Sequence, residues 1–543
     1  MMIRFLLAAA LAIPTTAQAQ KAPTVEAPAG ALRGTRDGAV NVFRGIPYAA
    51  APAGARRWQP PAPAARWDGV RDAAKFGPVC HQPAQRQRSI YSENLPAMSE
   101  DCLSLNIWAP AQAKGAPVFV WIHGGALVSG SGRQSMYDGA AMAKRAGMVV
   151  VTINYRLGVL GYLAHPGLST ESADKVSGNY GLLDQIAALR WVKDNAAAFG
   201  GDPANVTIAG ESAGALSVMY LLAAPEARGL FARAIVQSGY MVSAPELRGT
   251  RHGDLPAEAI GATLMGKLGA ADVAAMRAKD AQELVEGAAR AAYFPFPTVD
   301  GRHVPDQLVA IFDRGEQARV PVLAGFNSGE IRSLRYLAPP APASRAAYDA
   351  AVRERYGDLA DAFLRLYPGN DLAEAVLLPP RDALYGWTAE RLARSQTRAG
   401  VPGYLYYFDH SYPAADAFNL RGFHAAEIPY MFGNIALTPE FWPRIPDTAQ
   451  ERRLSQAMLD YWASFARDGS PRATGAPAWQ PYGAARAYMA FSGEPRPGTR
   501  LMPGMFEFNE TVVCRRRAAG GIPWHWNVGI ISPPIPAGVP PCR

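Results

Sequence analysis

Seven short runs of β-branched and aromatic residues constrain the fold of this 543-residue chain more than any other feature of its sequence. Each run is almost continuously apolar, as is typical of strands buried on both faces of a parallel sheet. The runs are VFVWI (118–122), VVVTINY (149–155), NVTIAG (205–210), RAIVQSG (233–239), VPVLAGFN (320–327), YLYYFDH (404–410) and AYMAFSG (487–493).

Helical patterns lie between these runs. In residues 179–201 and 452–469 the apolar side chains recur at helical spacing, and Gly200 and Gly469 follow as stop signals. The two apolar stripes are Leu182, Ile186, Leu189 and Val192, and then Leu454, Met458, Tyr461, Trp462 and Phe465. Strands that alternate with helices predict an α/β fold with a doubly wound, mostly parallel sheet. The helix-rich stretches 240–320 and 335–400 are predicted to be excursions over that sheet.

The first nineteen residues are predicted to be a signal peptide. Arg4 supplies a positive start, an apolar run follows at 5–13, and Pro14 ends it before the small-residue cleavage site that closes at Ala19. The run is too short to cross a bilayer, and no later stretch has the pattern of a membrane span. We therefore expect an exported protein, either secreted or periplasmic.

The chain has four cysteines, Cys80, Cys102, Cys514 and Cys542. Export permits disulfides, and four cysteines allow three pairings. Pairing neighbours in sequence would close two short loops. The cysteines are not at metal-ligand spacing, so neither a metal site nor another cofactor is expected. Residues 511–543 are rich in proline and glycine and are predicted to form an irregular tail held by its cysteine pair.

The net charge of +8 does not by itself indicate a nucleic-acid partner. The basic residues are scattered, and the densest run is CRRR at 514–517. No basic stripe, aromatic–basic alternation or zinc-finger spacing is present in the sequence. We expect a small molecule as partner, and the sequence does not indicate an oligomeric state.

Ser212 lies in IAGESAGALS (208–217), which matches a Gly-x-Ser-x-Gly pattern. With 52 glycines in the chain, such a match arises by chance roughly once in four sequences of this kind, so the context decides. A strand pattern precedes the serine and a helix pattern follows it, as in a nucleophile elbow. The structural alternative is a serine that only caps the helix.

A serine nucleophile needs a base and an acid that orients the base. His424, in RGFHAAEIPYMFG, is the histidine with the clearest context downstream of the serine. Glu330 follows the strand pattern VPVLAG and falls between Ser212 and His424, in the order serine, acid, histidine of α/β hydrolases. The alternatives are a structural histidine and an ordinary surface glutamate.

The segment VWIHGGALVSG supplies main-chain donors for an oxyanion. Its glycines allow the backbone to approach a substrate closely. The N–H groups of Gly125 and Ala126, with that of Ala213 after the serine, are predicted to form a three-donor oxyanion hole. The alternative is a plain glycine turn.

At this point the chain resembles the type-B carboxylesterase family of the α/β-hydrolase fold. The matching segments run in family order from 43 to about 493 and include SEDCLSLNIW (99–108), WIHGGALVSGS (121–131), NYRLGVLGYL (154–163), VTIAGESAGA (206–215), GFNSGE (325–330) and FHAAEIPYMFG (423–433). The resemblance implies Ser212 as nucleophile, Glu330 as acid, His424 as base and Gly125, Ala126 and Ala213 as oxyanion donors. It also implies a Cys80–Cys102 disulfide and one large domain over residues 20–510.

Three departures bear on substrate choice, two from the cholinesterases of the family and one from the commoner oxyanion motif GGGF. The loop from Cys80 to Cys102 contains no tryptophan, Ile331–Leu334 replaces two aromatic residues after the acid, and the oxyanion segment ends in Ala126 and Leu127. Leu127 and Phe294 are predicted to line the substrate pocket. We therefore expect neutral aryl esters and short- to medium-chain alkyl esters to be cleaved well, acidic esters to be tolerated and choline esters to be poor substrates.

Other functions stay open at this level. The same triad serves amidases and carbamate hydrolases, a lipase is conceivable, and the family includes adhesion ectodomains that have lost the catalytic serine. This chain keeps each catalytic element, which favours a serine carboxylic-ester hydrolase.

Overall fold

The computed structural model of the protein describes residues 22–85 and 88–536. The predicted signal peptide (1–19) and Cys542 lie outside the described residues. Export and the pairing of Cys514 with Cys542 therefore stay predictions.

The described residues contain strands β1 to β14 in two sheets. In chain order the strands are Thr24–Ala27, Gly30–Arg33, Thr35–Asp37, Val40–Pro47, Val70–Asp72, Ser104–Pro110, Ala116–Ile122, Val149–Ile153, Gly201–Glu211, Arg233–Gln237, Val322–Asn327, Gly403–Phe408, Ala487–Phe491 and Pro495–Thr499. A small sheet has the order β1-β2-β5. The large sheet has the order β14-β13-β12-β11-β10-β9-β7-β8-β6-β4-β3.

The seven apolar runs of the sequence form seven neighbouring strands in the middle of the large sheet. These strands, β13-β12-β11-β10-β9-β7-β8, are all paired in parallel. Antiparallel strands extend the sheet at both edges, β14 on one side and β6, β4 and β3 on the other. The predicted doubly wound, mostly parallel sheet is confirmed. Because parallel strands end at the same edge, the segments after β7, β9, β10 and β11 meet there.

Helices cover the sheet. The α-helices of the described residues, α1 to α19 in chain order, are Ala140–Ala146, Gly158–Tyr162, Pro166–Glu171, Tyr180–Asn195, Ala213–Ala223, Ala257–Lys267, Val273–Ala278, Ala281–Arg290, Leu308–Arg314, Glu330–Ser333, Arg345–Tyr356, Ala360–Leu366, Leu372–Ala375, Leu378–Arg381, Trp387–Arg398, Pro413–Asp416, Ile428–Phe432, Ala449–Asp468 and Met505–Ala519. A π-helical segment, Asp382–Gly386, precedes α15. Both helix-rich excursions and both predicted amphipathic helices are present.

Helix α18 illustrates how the sequence sets its own ends. The Thr448 side chain accepts a hydrogen bond from the Glu451 backbone N–H, which is the first half of a capping box. Gly469 ends the helix in the left-handed conformation, with φ of 83°. The buried face of the helix carries Leu454, Met458, Tyr461, Trp462 and Phe465, the stripe expected from the sequence.

The prediction of an irregular tail over residues 511–543 is wrong for its first part. Helix α19 runs through this boundary from Met505 to Ala519, between two left-handed glycines. Phe508 and Val512, four residues apart, are buried in a cluster with the aromatic side chains of α11 and α12. The proline and glycine content that suggested an irregular tail belongs to the residues after 519. Residues 511–519 contain neither proline nor glycine, and they continue a helix whose buried side chains are spaced four residues apart.

The helices of the described residues include none that is both long and apolar enough to cross a membrane.

Candidate active site

Ser212 occupies a sharp turn between strand β9 and helix α5. Its backbone has φ of 56° and ψ of −121°, a conformation that costs a non-glycine residue free energy. The turn is held by a hydrogen bond from the Ser212 N–H to the Gln237 carbonyl (2.9 Å). The side chain makes no capping hydrogen bond to α5. The helix-capping alternative is therefore not what the structure contains.

The two glycines of the Gly-x-Ser-x-Gly pattern are required by close packing. A Cβ atom on Gly214 would lie 2.0 Å from the carbonyl oxygen of Ile122, and one on Gly210 would lie 2.5 Å from the main chain of Gly214. Any side chain at either position would therefore push α5 away from β7 and β9. The glycines allow the helix to start directly above the sheet, with Ser212 half-buried at its first turn.

Glu330 follows β11 and is fully buried. Its Oε1 accepts hydrogen bonds from the Ser238 hydroxyl (2.7 Å) and the Asn327 backbone N–H (2.8 Å). Its Oε2 accepts a hydrogen bond from Nδ1 of His424. Hydrogen-bond donors thus face both carboxyl oxygens of Glu330, as suits a carboxylate. The structure brings the predicted acid and base together.

Three successive carbonyls fix the loop that carries His424, two of them through the loop that carries Glu330 and the third through Tyr91. Gly422 accepts from the Gly329 N–H (2.7 Å), Phe423 accepts from the Asn327 amide (2.8 Å), and His424 accepts from the Tyr91 hydroxyl (2.9 Å). The ring of Tyr385, in the π-helical segment, lies 5.4 Å from the His424 ring. These contacts leave the imidazole little freedom to turn.

Glu211, the residue before Ser212, approaches the other ring nitrogen. Its Oε1 lies 3.0 Å from Nε2 of His424, at ion-pair distance. The Ser212 hydroxyl and His424 share no hydrogen bond in the part of the chain that the structure describes. In this state Nε2 therefore faces a carboxylate beside the serine.

The electrostatics of His424 follow from these two carboxylates. Burial by itself lowers the pKa of His424, but Glu211 and Glu330 outweigh it and hold that pKa well above its usual range. Burial raises the pKa of Glu211. The two carboxylates therefore stabilise the imidazolium form of His424.

A third glutamate, Glu427, lies three residues after His424 in the sequence and is fully buried. Its oxygens accept hydrogen bonds from the side-chain amides of Gln237 (2.9 Å) and Asn327 (2.6 Å). Burial, and then the negative charge of Glu211, raise the pKa of Glu427 to about 7. Asn327 therefore links Glu427 to Glu330, since its backbone and its side chain each bind one of them.

The predicted oxyanion segment follows β7 and faces the serine turn. A Cβ atom on Gly124 would lie 3.1 Å from Cβ of Ser212, so the two segments are in contact. Gly125, Ala126 and Leu127 have φ values of 103°, 56° and 59°. Within residues 22–85 and 88–536, no acceptor binds the N–H groups of Gly125, Ala126 or Ala213. All three are therefore free to bind a ligand oxygen.

The two predicted pocket residues differ in environment. Leu127 is buried next to Ala126, and its carbonyl accepts a hydrogen bond from the Gly158 N–H (2.7 Å). Phe294 is 53% exposed and its ring lies 5.1 Å from that of Phe296. Their roles in substrate binding stay predictions.

Sequence reasoning missed several residues that hold the site together, namely Ser238, Gln237, Asn327, Glu427 and Tyr91. Ser238 and Asn327 end two of the predicted strands, so their position at the edge of the sheet was a usable signal. Tyr91 belongs to the loop closed by the Cys80–Cys102 disulfide, which the structure confirms. Its contact with His424 spans 333 residues of sequence and has no local signature.

The large sheet with a serine turn after β9, an acid after β11 and a later histidine defines a protein of the α/β-hydrolase class. The carboxylesterase family model matches residues 21–503. The chain belongs to the carboxylesterase family and is a carboxylic-ester hydrolase.

Named relatives agree with this assignment. The chain is 38% identical to a fumonisin B1 esterase of Sphingopyxis macrogoltabida, over 85% of each chain. It is 35% identical to a para-nitrobenzyl esterase of Bacillus subtilis, over 83% of this chain and 91% of the relative. Among solved structures, a PNB esterase at 32% identity matches with a TM-score of 0.77, over 90% of this chain and 99% of that one.

Proposed function

We propose that this enzyme cleaves esters through an acyl-enzyme on Ser212, with His424 as general base and Glu330 as the acid that orients it. The observation that carries the proposal is the buried hydrogen bond from Nδ1 of His424 to Glu330. Because a carboxylate accepts, this bond supports a neutral ring that carries its proton on Nδ1, with Nε2 as the acceptor. Nε2 faces the end of β9, where Ser212 is held with an unengaged side chain.

In the first half-reaction the Ser212 hydroxyl attacks the ester carbonyl and its proton passes to Nε2 of His424. The N–H groups of Gly125, Ala126 and Ala213 bind the negative oxygen that forms. The imidazolium then returns the proton to the leaving alcohol. Before Ser212 attacks, Nε2 must exchange its contact with Glu211 for one with the Ser212 hydroxyl. We expect this change when the substrate binds.

In the second half-reaction a water molecule attacks the acyl-enzyme. His424 takes the proton from water and returns it to the Ser212 oxygen as the acyl bond breaks, which releases the carboxylic acid. Two buried carboxylates near the imidazolium stabilise it in both halves. Glu330 is the better candidate for the orienting acid because it binds Nδ1, the ring nitrogen away from the serine.

The direct test is the Ser212→Ala variant. We expect kcat to fall on the order of 10⁶-fold, as for nucleophile removal in other triad enzymes. The matched control is Ser169→Ala, a buried serine on α3 that hydrogen-bonds Ser177 (2.8 Å), and it should retain wild-type activity. A phosphonate ester should label Ser212 in the wild type. Activity in the Ser212→Ala variant, or labelling of another residue, would refute the assignment.

The substrates we propose are neutral aryl esters and alkyl esters of short to medium length. Two of the named relatives are an esterase of para-nitrobenzyl esters and one of fumonisin B1. An amidase would share the triad, so turnover of a para-nitrophenyl ester should be compared with that of the matched anilide. A faster anilide reaction would point to the amidase.

We also propose that the enzyme is exported and loses residues 1–19. The Cys80–Cys102 disulfide supports this proposal, because disulfides persist in oxidising compartments. Amino-terminal sequencing of the protein recovered from the medium and the periplasm tests it. A chain that keeps Met1 and stays with the cytoplasmic fraction would contradict it.

A further inference from the structure

His123 lies between strand β7 and the oxyanion segment, and the triad chemistry leaves it unused. Its side chain is buried, with 1% of its surface exposed. The ring stacks on that of Tyr155, with the centroids 4.5 Å apart and the planes 21° from parallel. Nδ1 of the ring lies 2.8 Å from the carbonyl oxygen of Gly124.

The direction of this hydrogen bond follows from its partners. A carbonyl oxygen only accepts, so Nδ1 of His123 carries the proton and donates it. Burial lowers the pKa of His123 to about 4, which keeps the ring neutral in the working range of an esterase. The donor is therefore a fixed feature of the site and does not titrate near neutral pH.

The Gly124 carbonyl and the Gly125 N–H belong to the same peptide group. That group is planar and trans, so the two bonds point in opposite directions. A donor that holds the Gly124 oxygen on one side therefore fixes where the Gly125 N–H points on the other. We propose that His123 is a positioning residue of the oxyanion hole, which aims the Gly125 N–H at the developing oxyanion. The inference rests on the proposed function, because it needs an oxyanion at Gly125.

Tyr155 fixes the preceding peptide group in the same way. Its hydroxyl donates to the carbonyl oxygen of His123 at 2.8 Å, while its ring supports the imidazole by stacking. The two successive peptides that lead into Gly125 are thus each held by one side-chain donor. This matters because Gly125 itself, with φ of 103°, has no Cβ to limit its rotation.

The far side of the hydrogen bond is kept open by Gly130. A Cβ atom there would lie 2.5 Å from Nδ1 of His123 and 2.7 Å from the Gly124 oxygen, too close to both donor and acceptor. Gln82 holds this glycine in place, because its side chain accepts from the Gly130 N–H (3.0 Å) and donates to the Gly130 carbonyl (3.1 Å). The surroundings therefore preserve the space for the His123 bond.

The test compares His123→Leu, which removes the donor, with His123→Asn, whose amide can replace the Nδ1–H. In the leucine variant we expect kcat for a para-nitrophenyl ester to fall by about 10- to 100-fold, less than or comparable to the loss of an oxyanion donor. KM should change little. The affinity of a trifluoromethyl ketone, which forms an oxyanion on the serine, should fall in proportion to kcat. The asparagine variant should recover most of both losses.

The control for structural damage is His165→Leu. The His165 side chain caps helix α3 by accepting from the Gly167 N–H (3.0 Å), so its loss should lower the melting temperature without changing the ketone affinity. A melting curve for each variant shows whether it is folded. A folded His123→Leu variant with unchanged kcat and ketone affinity would overturn the inference, and so would an asparagine variant as impaired as leucine.

Failure of the inference and failure of the proposed function give different results. If Ser212→Ala abolishes activity but His123→Leu leaves both quantities unchanged, only the role of His123 is wrong. If Ser212→Ala remains active, the proposed acyl-enzyme on Ser212 is itself wrong.

Discussion

Nε2 of His424 lies 3.0 Å from Oε1 of Glu211, the residue immediately before the serine of the elbow. The imidazole is therefore placed between two carboxylates, with Glu330 at Nδ1 and Glu211 at Nε2. An ordinary serine triad has one carboxylate behind the ring and the serine in front of it. Here Glu211 also approaches Nε2, the ring nitrogen that must bind the serine. The pKa of His424, and with it the pH dependence of activity, should therefore depend on Glu211.

The first prediction concerns Glu211→Gln. A histidine accepts a proton only when it is neutral, so activity rises as the pH passes its pKa. Because Glu211 raises the pKa of His424, its removal should lower that pKa and move the acid limb of kcat/KM to lower pH. Full pH profiles of wild type and variant measure the shift.

The control for this shift is Glu390→Gln, a buried carboxyl on α15 that accepts from Tyr482 (2.6 Å) and lies outside the triad. Its acid limb should coincide with that of the wild type. If the Glu211→Gln profile keeps the wild-type acid limb, or moves to higher pH, Glu211 does not set the pKa of His424.

The second prediction concerns Glu330→Gln. Oε1 of Glu330 receives the Ser238 hydroxyl and the Asn327 N–H, so a glutamine there keeps its oxygen on those donors. Its NH₂ group then faces Nδ1 of His424 and favours the tautomer with the proton on Nε2. That tautomer cannot take the serine proton, and we expect kcat to fall by about 10⁴-fold.

Steady-state kinetics with an active-site titration measure the Glu330→Gln effect, and circular dichroism checks the fold. The same Glu390→Gln variant controls for the loss of a buried carboxylate. Activity within a few-fold of wild type would move the role of the acid to Glu211.

The third prediction concerns the disulfide-closed loop. Tyr91 in this loop donates to the main-chain oxygen of His424, so Tyr91→Phe should loosen the base. One buried hydrogen bond contributes about 0.5–1.5 kcal/mol, and we expect kcat to fall by about three- to tenfold. Tyr348→Phe, which loses a similar bond to the Tyr367 carbonyl (2.9 Å), should lower stability and leave kcat unchanged. If both variants have the same kcat, the Tyr91 hydrogen bond does not contribute to catalysis.

The fourth prediction concerns choline esters, which should be poor substrates. Quaternary ammonium groups bind to aromatic faces, each worth about 0.5–2 kcal/mol. The loop from Cys80 to Cys102 has no tryptophan, Ile331–Leu334 has no aromatic residue, and the net charge of +8 weakly repels cations. The measurement is kcat/KM for butyrylthiocholine against an uncharged butyryl thioester. A preference for the choline substrate would contradict this prediction.

The sequence alone was sufficient where the signal is local. Continuous apolar runs identify strands because both faces of a parallel strand are buried, and all seven runs became neighbouring strands. The pattern of the serine elbow was equally local, since both glycines lie within two residues of Ser212. The contacts that require these glycines include the carbonyl oxygen of Ile122 on the neighbouring strand β7. The pairing of Glu330 with His424 spans 94 residues. The sequence indicated it through the strand pattern before the acid and the order serine, acid, histidine, and the family resemblance then supported it.

Other features depend on where the chain returns in space. The approach of Glu211 to His424 and the link from Glu427 through Asn327 need the sheet edge to be assembled before they exist. The tail shows a different limit, because an average over 511–543 concealed a helix whose apolar residues recur every four positions. Composition describes a segment as a whole, whereas packing depends on the placement of single side chains such as Phe508 and Val512.

Helix α19 has a practical consequence for anyone who produces this enzyme. The family model ends at residue 503, just before the helix begins, and a gene shortened to that boundary would lack Phe508 and Val512. The aromatic side chains of Tyr348, Tyr356 and Phe363, now covered by the helix, would face solvent. Such a product would be prone to aggregation, and shortened forms for crystallisation or immobilisation should keep at least the residues up to Ala519.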